Sequence, residues 1–124
     1  MKLLLDTRII LWWLLGDSRL RQETRDLMGA NPCVVSVASI WEVAIKHRLG
    51  KLAVDPASFR DESLGAGATL LAINDAHVTE TPRLPGIHAD PFDRLMIAQA
   101  RIEALVAVSS DRRWSDYGIP LQRP

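Results

Sequence analysis

A single cysteine, Cys33, in 124 residues rules out an intramolecular disulfide and every metal-finger spacing. A lone thiol fits a reducing compartment, so the expected location is the cytoplasm. Net charge is lacking too: fifteen basic and fifteen acidic residues cancel, which removes any whole-molecule field toward nucleic acid or an anionic membrane and leaves such contact to a local patch. No apolar run is long enough to span a bilayer. The opening MKLLLDTRIILWWLL places Lys2 before an apolar stretch in the manner of a signal peptide, yet Asp6 and Arg8 interrupt it and no small-residue cleavage site follows. A Gly-rich phosphate loop, a Ser-His-Asp spacing, internal repeats and low-complexity tracts are also absent.

What is present is a chain of 48% hydrophobic residues, enough for one sizeable core and not for two, so one domain over 1–124 is expected. Lys2 to Leu5 reads as a buried strand, and Ile9 to Leu15 as a helix stopped at Gly16. Ser18 is a candidate cap for a helix to about Met28, and PCVVS a second buried strand. Ser39 to Leu49 follows as a helix, with SIWE matching a capping box and Gly50 as the stop. Pro56 can start a helix that frays in LGAGA. Thr69 to Ile73 is a third strand, and Asn74 caps a short helix ending before Pro82. Asp90 and Pro91 then open a long helix with Leu95, Ala98, Ile102 and Leu105 on one face. Val106 to Val108 is a fourth strand, SSDRRWSDYG a turn and short helix, and IPLQ an edge strand that tolerates its proline. Strands alternating with helices imply an α/β fold with a mainly parallel sheet covered on both faces.

Asp6, Glu42, Asp90, Asp93 and Asp111 all fall at strand-to-helix turns. In an open parallel sheet those turns share the carboxyl edge, where ligand sites form. Each acid also has an ordinary explanation: Asp6 and Asp90 as caps, Glu42 as a partner of Lys46, Asp90 of Arg94, and Asp93 and Asp111 as favourable charges at helix starts. Together they repel one another unless protons or a cation offset the charge. All-oxygen ligands favour Mg²⁺ or Mn²⁺ over zinc, and such ions recruit phosphate oxygens. Of the histidines, His47 reads as a core or interface residue, His77 as surface, and His88 as a turn residue within reach of a scissile phosphate. Adjacent Trp12 and Trp13 cannot both face one core, so one of them is expected at a second subunit or a partner protein.

LLLDTRIILWWLLGD, VSVASIWEVAIKHRLGKL, HADPFDRLMIAQA and VSSDRRWSDYGIPL resemble, in this order, the VapC toxins of bacterial type II toxin–antitoxin systems, which are PIN-domain ribonucleases. The resemblance covers nearly the whole chain and is weakest between residues 53 and 85. It implies a three-layer α/β/α fold, a homodimer, Mg²⁺- or Mn²⁺-dependent RNA cleavage, and a cognate antitoxin whose C-terminal segment blocks the acidic pocket. By position, Asp6, Glu42, Asp93 and Asp111 match the family's acids, with Asp90 an additional one. Where relatives commonly read D-T-H, this chain has Asp6-Thr7-Arg8, so Arg8 either meets substrate phosphate or pairs with a pocket acid.

The expected function is therefore an endoribonuclease toxin acting through metal-activated water. Asp6, Glu42, Asp90, Asp93 and Asp111 would hold the metal, and Arg8, Arg94, Arg112 and Arg113 would contact phosphate. The alternative is a catalytically silent binding module that keeps the antitoxin groove. A phosphatase is disfavoured because DTR lacks a second acid, and a receiver domain because neither its central phosphoacceptor nor its late lysine is evident.

Overall fold

The computed structural model describes residues 1–124. At its centre is β1 (Leu3–Leu5), an apolar tripeptide buried along its whole length. Side chains alternate across a strand, so Leu4 enters one hydrophobic cluster while Leu3 and Leu5 enter another on the opposite face. β2 (Cys33–Ser36), β3 (Thr69–Leu71), β4 (Val106–Val108) and β5 (Leu121–Gln122) complete a sheet of order β3-β2-β1-β4-β5. Every pairing is parallel, with Leu4 level with Val34 on one side and Ala107 on the other. A strand flanked on both edges and covered on both faces needs this uninterrupted apolar composition.

The first layer contains α1 (Thr7–Leu15), α2 (Gln22–Ala30) and α4 (Pro56–Gly65), whose Ile9, Ile10, Trp12, Met28 and Phe59 pack with Leu3, Leu5 and Val35. The second layer is built on α6 (Pro91–Ile102), with Met96, Ile97, Ala98 and Ala100 beside Leu4, Trp114 and Tyr117. α3 (Val37–Arg48) contributes to both, through Val43 and Ala38 respectively. The result is the expected three-layer α/β/α arrangement. The chain runs outward from β1 through β2 to β3, then returns on the other side of β1 as β4. That reversal opens a crevice beyond the carboxyl ends of β1 and β4.

Several local expectations change. α3 begins two residues before Ser39, with Ser36 at the cap accepting from the Ala38 amide, so Ser39 and Glu42 form no capping box. Glu42 lies further along the helix and is buried. Ser18 caps nothing: Asp17 accepts from the Arg19 amide and guanidinium, which closes a turn and delays α2 to Gln22. Trp12 is buried and its neighbour Trp13 is half-buried against the same cluster, because a layer curving around a helix meets side chains 100° apart. His77 is fully buried, exchanging hydrogen bonds with Asn74 at the cap of α5 (Asp75–Glu80) and reaching Glu103 through Nε2 at 3.1 Å.

Leu4 occupies the central position of the central strand and is completely buried. Leu4→Ala is expected to lower unfolding free energy by about 2–5 kcal/mol, measured in urea. A change under about 1 kcal/mol would contradict the packing described.

Candidate metal centre

Parallel strands and the antiparallel helices between them bring four chain segments to one rim: the turn after β1, the first half of α3, the N-terminus of α6 and the turn after β4. Asp6, Glu42, Asp90, Asp93 and Asp111 come from these segments, and all five line one cleft of about 530 Å³. The local reasons differ. Asp6 caps α1, with Oδ1 accepting from the Thr7 amide at 2.7 Å, and its Oδ2 accepts from Ser109 Oγ at 2.7 Å. Asp90 caps α6, with Oδ1 accepting from the amides of Phe92 (2.8 Å) and Asp93 (3.1 Å), while Pro91 fills the first helical position, where no N–H is needed. This cap places Asp93 in the first turn, where Trp114 Nε1 donates to its Oδ2 at 3.2 Å. Glu42 accepts from Thr7 Oγ1 at 2.7 Å through Oε1 and from Lys46 Nζ at 2.6 Å through Oε2. The pairing with Lys46 one turn along the helix and the place in the acid cluster are thus both present.

Burial and mutual repulsion leave their mark on these groups. Asp6 is pushed up to about 7, first by desolvation and then by the Asp93 charge, against the lowering effect of Ser109 and the Thr7 amide. Asp93 is also raised, chiefly by burial, with Asp90 and Glu42 adding repulsion and the Trp114 and His88 contacts opposing it. Asp111 goes the other way, down to about 2, because Arg113 grips it. Arg113 Nε lies 3.0 Å from Oδ1 and its terminal nitrogen 2.8 Å from Oδ2.

His88 is the residue the sequence undervalued. It is buried, its backbone amide donates to the Tyr117 hydroxyl at 2.7 Å, and its Nε2 lies 2.8 Å from Asp111 Oδ2 and 2.7 Å from Asp93 Oδ2. One ligating atom from each of His88, Asp93 and Asp111 falls within 4.8 Å of the other two. The one sequence clue is a histidine two residues before a helix cap, where its Nδ1 accepts from the Asp90 amide at 3.1 Å.

The proposed phosphate contacts divide. Arg8 and Arg113 line the cleft, joined by Lys46 and Lys51. Arg8 forms neither a hydrogen bond nor an ion pair with an acid, so the pairing considered for it is not seen. Arg94 does not line the cleft. Its guanidinium donates to the carbonyl oxygens of Thr81 (2.6 Å), Leu84 (3.2 Å), Pro85 (2.8 Å) and His88 (3.2 Å), so it ties down the loop carrying His88 and has little left for a substrate. Arg112 is exposed and also lies off the cleft wall.

The donor set suits a hard divalent cation. Asp90 Oδ2 and Asp93 Oδ1 carry no hydrogen bond, and since every fully buried side-chain polar atom is partnered, both oxygens are open to the cleft. Asp6 and Glu42 each keep lone pairs beyond the bonds already made. Oxygen donors of this kind match Mg²⁺ or Mn²⁺.

A PIN domain family model matches residues 3–120. Among solved structures, VapBC2 from Rickettsia felis bound to a promoter DNA fragment superposes with a TM-score of 0.73 at 13% identity, covering 99% of this chain and 98% of that one. DNA-bound VapBC from Salmonella typhimurium gives 0.72 at 16% identity, with the same two coverages. VapBC-1 from nontypeable Haemophilus influenzae gives 0.62 at 18% identity over 99% and 98%. No curated protein matches the sequence.

An acid held near 7 in the fold and near its ordinary value when unfolded keeps its proton longer in the native state, so this group makes stability fall as pH rises from about 4 to about 7. In EDTA, Asp6→Asn is therefore expected to stabilise the protein at pH 8, by at most on the order of 4 kcal/mol. The gain should vanish near pH 4. Thermal unfolding at both pH values checks this, and an equal effect at both would contradict it.

Proposed function

Because the chain belongs to the PIN domain family, we propose that it is the toxin of a VapC-type toxin–antitoxin pair, a divalent-metal-dependent endoribonuclease. The observation that carries this reading is the convergence of Asp6, Glu42, Asp90 and Asp93 on one cleft whose margin holds Arg8, Lys46, Lys51 and Arg113. A floor of hard oxygen donors below a cationic margin suits a phosphodiester approaching a bound cation. Mg²⁺ or Mn²⁺ bound there would supply Lewis-acid activation of water and neutralise charge on the phosphate. Asp6, Glu42 and Asp93 would hold the ion, with Asp90 Oδ2 near enough to assist and Asp111 bounding the cluster beside β4.

The chain's own groups do the remaining work. Ser109 and the Thr7 amide fix the Asp6 carboxylate, Thr7 Oγ1 and Lys46 fix Glu42, and Trp114 fixes Asp93, so the ligands are ordered before any ion arrives. Arg8, exposed and unpaired, is the cleanest candidate for gripping backbone phosphate. The silent-module alternative rested on Arg8 engaging a pocket acid and gains no support from its position.

A cognate antitoxin is the proposed protein partner, its basic side chain entering the acidic cleft; the VapBC complexes among the structural neighbours support this. No helix is long and apolar enough to cross a membrane. Homodimerisation fits the exposed apolar stripe of Trp41 and Ile45 on α3 with Leu49 at its C-cap.

Purified, antitoxin-free protein is expected to cleave RNA with Mn²⁺, to stop in EDTA and to resume when Mn²⁺ is restored. Asp93→Asn should reduce cleavage to background while leaving the circular dichroism spectrum unchanged. Cleavage undiminished in EDTA, or by Asp93→Asn, would overturn the assignment.

A further inference from the structure

Two of the groups crowded at the cleft do not behave as metal ligands in their geometry. All the strong positions on the Asp111 carboxylate are taken: Oδ1 accepts from the Arg113 amide at 3.0 Å and from Arg113 Nε at 3.0 Å, and Oδ2 from the other end of the guanidinium at 2.8 Å and from His88 Nε2 at 2.8 Å. Coordination by Asp111 would break a bidentate arginine pair and the imidazole bond together. The His88 ring is committed as well. Its Nδ1 accepts a backbone N–H from Asp90, and a neutral imidazole accepts at one nitrogen only, so the proton sits on Nε2. A nitrogen that carries a proton has no lone pair for a cation.

We propose that His88 and Asp111 are positioning residues, forming with Arg113 a relay that sets the place of Asp93, and that neither coordinates the metal directly. The proposal rests on the metal-site reading above. Arg113 fixes Asp111, Asp111 accepts the Nε2–H of His88, and the same nitrogen lies 2.7 Å from Asp93 Oδ2. Asp93 Oδ2 thus accepts from Trp114 Nε1 and sits in close N···O contact with the imidazole, which leaves Oδ1, free of hydrogen bonds, as the ligating atom. The relay is anchored at both ends of the ring. The His88 amide is held by the Tyr117 hydroxyl, its carbonyl by Arg94, and Nδ1 by the amide of Asp90. Together with the Trp114–Asp93 hydrogen bond, the relay ties the turn after β4 to the N-terminus of α6. Partners of ligating groups placed this way carry much of a site's metal affinity.

Mn²⁺ titration calorimetry on the purified chain separates the possibilities. His88→Ala and Asp111→Asn are each expected to weaken binding by roughly 10–100-fold. The double variant should be no weaker than the worse single one, because both remove the same relay. His88→Gln, which keeps an N–H donor near the Nε2 position, should recover most of the loss, a recovery that a merely structural role would not give. Asp93→Asn should abolish binding. In long-range ¹⁵N–¹H spectra the His88 ring should carry its proton on Nε2 with and without Mg²⁺.

Wild-type affinity in His88→Ala and Asp111→Asn, with binding lost in Asp93→Asn, would overturn the relay and leave the metal site standing. Loss in Asp111→Asn as complete as in Asp93→Asn, with His88→Ala unaffected, would make Asp111 a ligand and overturn the relay. Transfer of the ring proton to Nδ1 on adding Mg²⁺ would make His88 a ligand, with the same consequence. Unchanged affinity in Asp93→Asn would remove the site and the relay together.

Discussion

Carboxylates brought to one edge of a parallel sheet repel one another, and the surroundings of this cleft are organised around containing that repulsion. Five acids line it, facing four cationic side chains. Two of those cations are spent directly on acids, Lys46 on Glu42 and Arg113 on Asp111. Asp6, Asp90 and Asp93 have no lysine or arginine partner, and the carboxyls of Asp6 and Asp93 are raised, first by burial and then by neighbouring acids. Strain of this kind persists only where the rest of the fold fixes it. The apolar strand β1 does so, since it carries Asp6 at its end and is packed on both faces. A divalent cation would relieve the repulsion among Asp6, Asp90 and Asp93, the acids that no lysine or arginine pairs.

The two layers contribute unequally to the cleft. On the α1 side the supports are single side chains bonded directly to the acids: the Thr7 and Ser109 hydroxyls, which reach Glu42 and Asp6 from other elements, and Lys46 one helical turn from Glu42. On the α6 side the support comes through a loop tied down by Arg94, whose guanidinium binds four carbonyl oxygens. An arginine suits this task because its planar fork offers several donors in fixed directions. It holds His88 and Asp90 near the helix start without adding charge to the cleft wall.

Most of the architecture was legible in the sequence because the governing signals are local. Continuous apolar runs at Leu3–Leu5 and Cys33–Val35 mark buried strands, and the Asp90-Pro91 pair fixes the start of α6 to the residue. Ser39 and Glu42 misled because the capping-box pattern is only four residues long, and Ser36, closing a strand, satisfied the helix start first. The cluster of acids was likewise predictable from strand ends in a parallel sheet. The position of Arg94 was not, since nothing in its spacing tells a phosphate contact from a clamp on backbone carbonyls. His88 was missed for the same reason: its value lies in contacts with Asp111 and Tyr117, more than twenty residues away, and no local period records them.

The central claim is that the uncompensated acids form a divalent-cation site. Calorimetric titration of the metal-free chain with Mn²⁺ at pH 7, repeated in buffers of different ionisation enthalpy, tests it most directly, because ligand protons must leave as the ion binds. The account predicts saturable binding with net proton release, since Asp6 is partly protonated at that pH. No binding, or binding with no proton released, would contradict it.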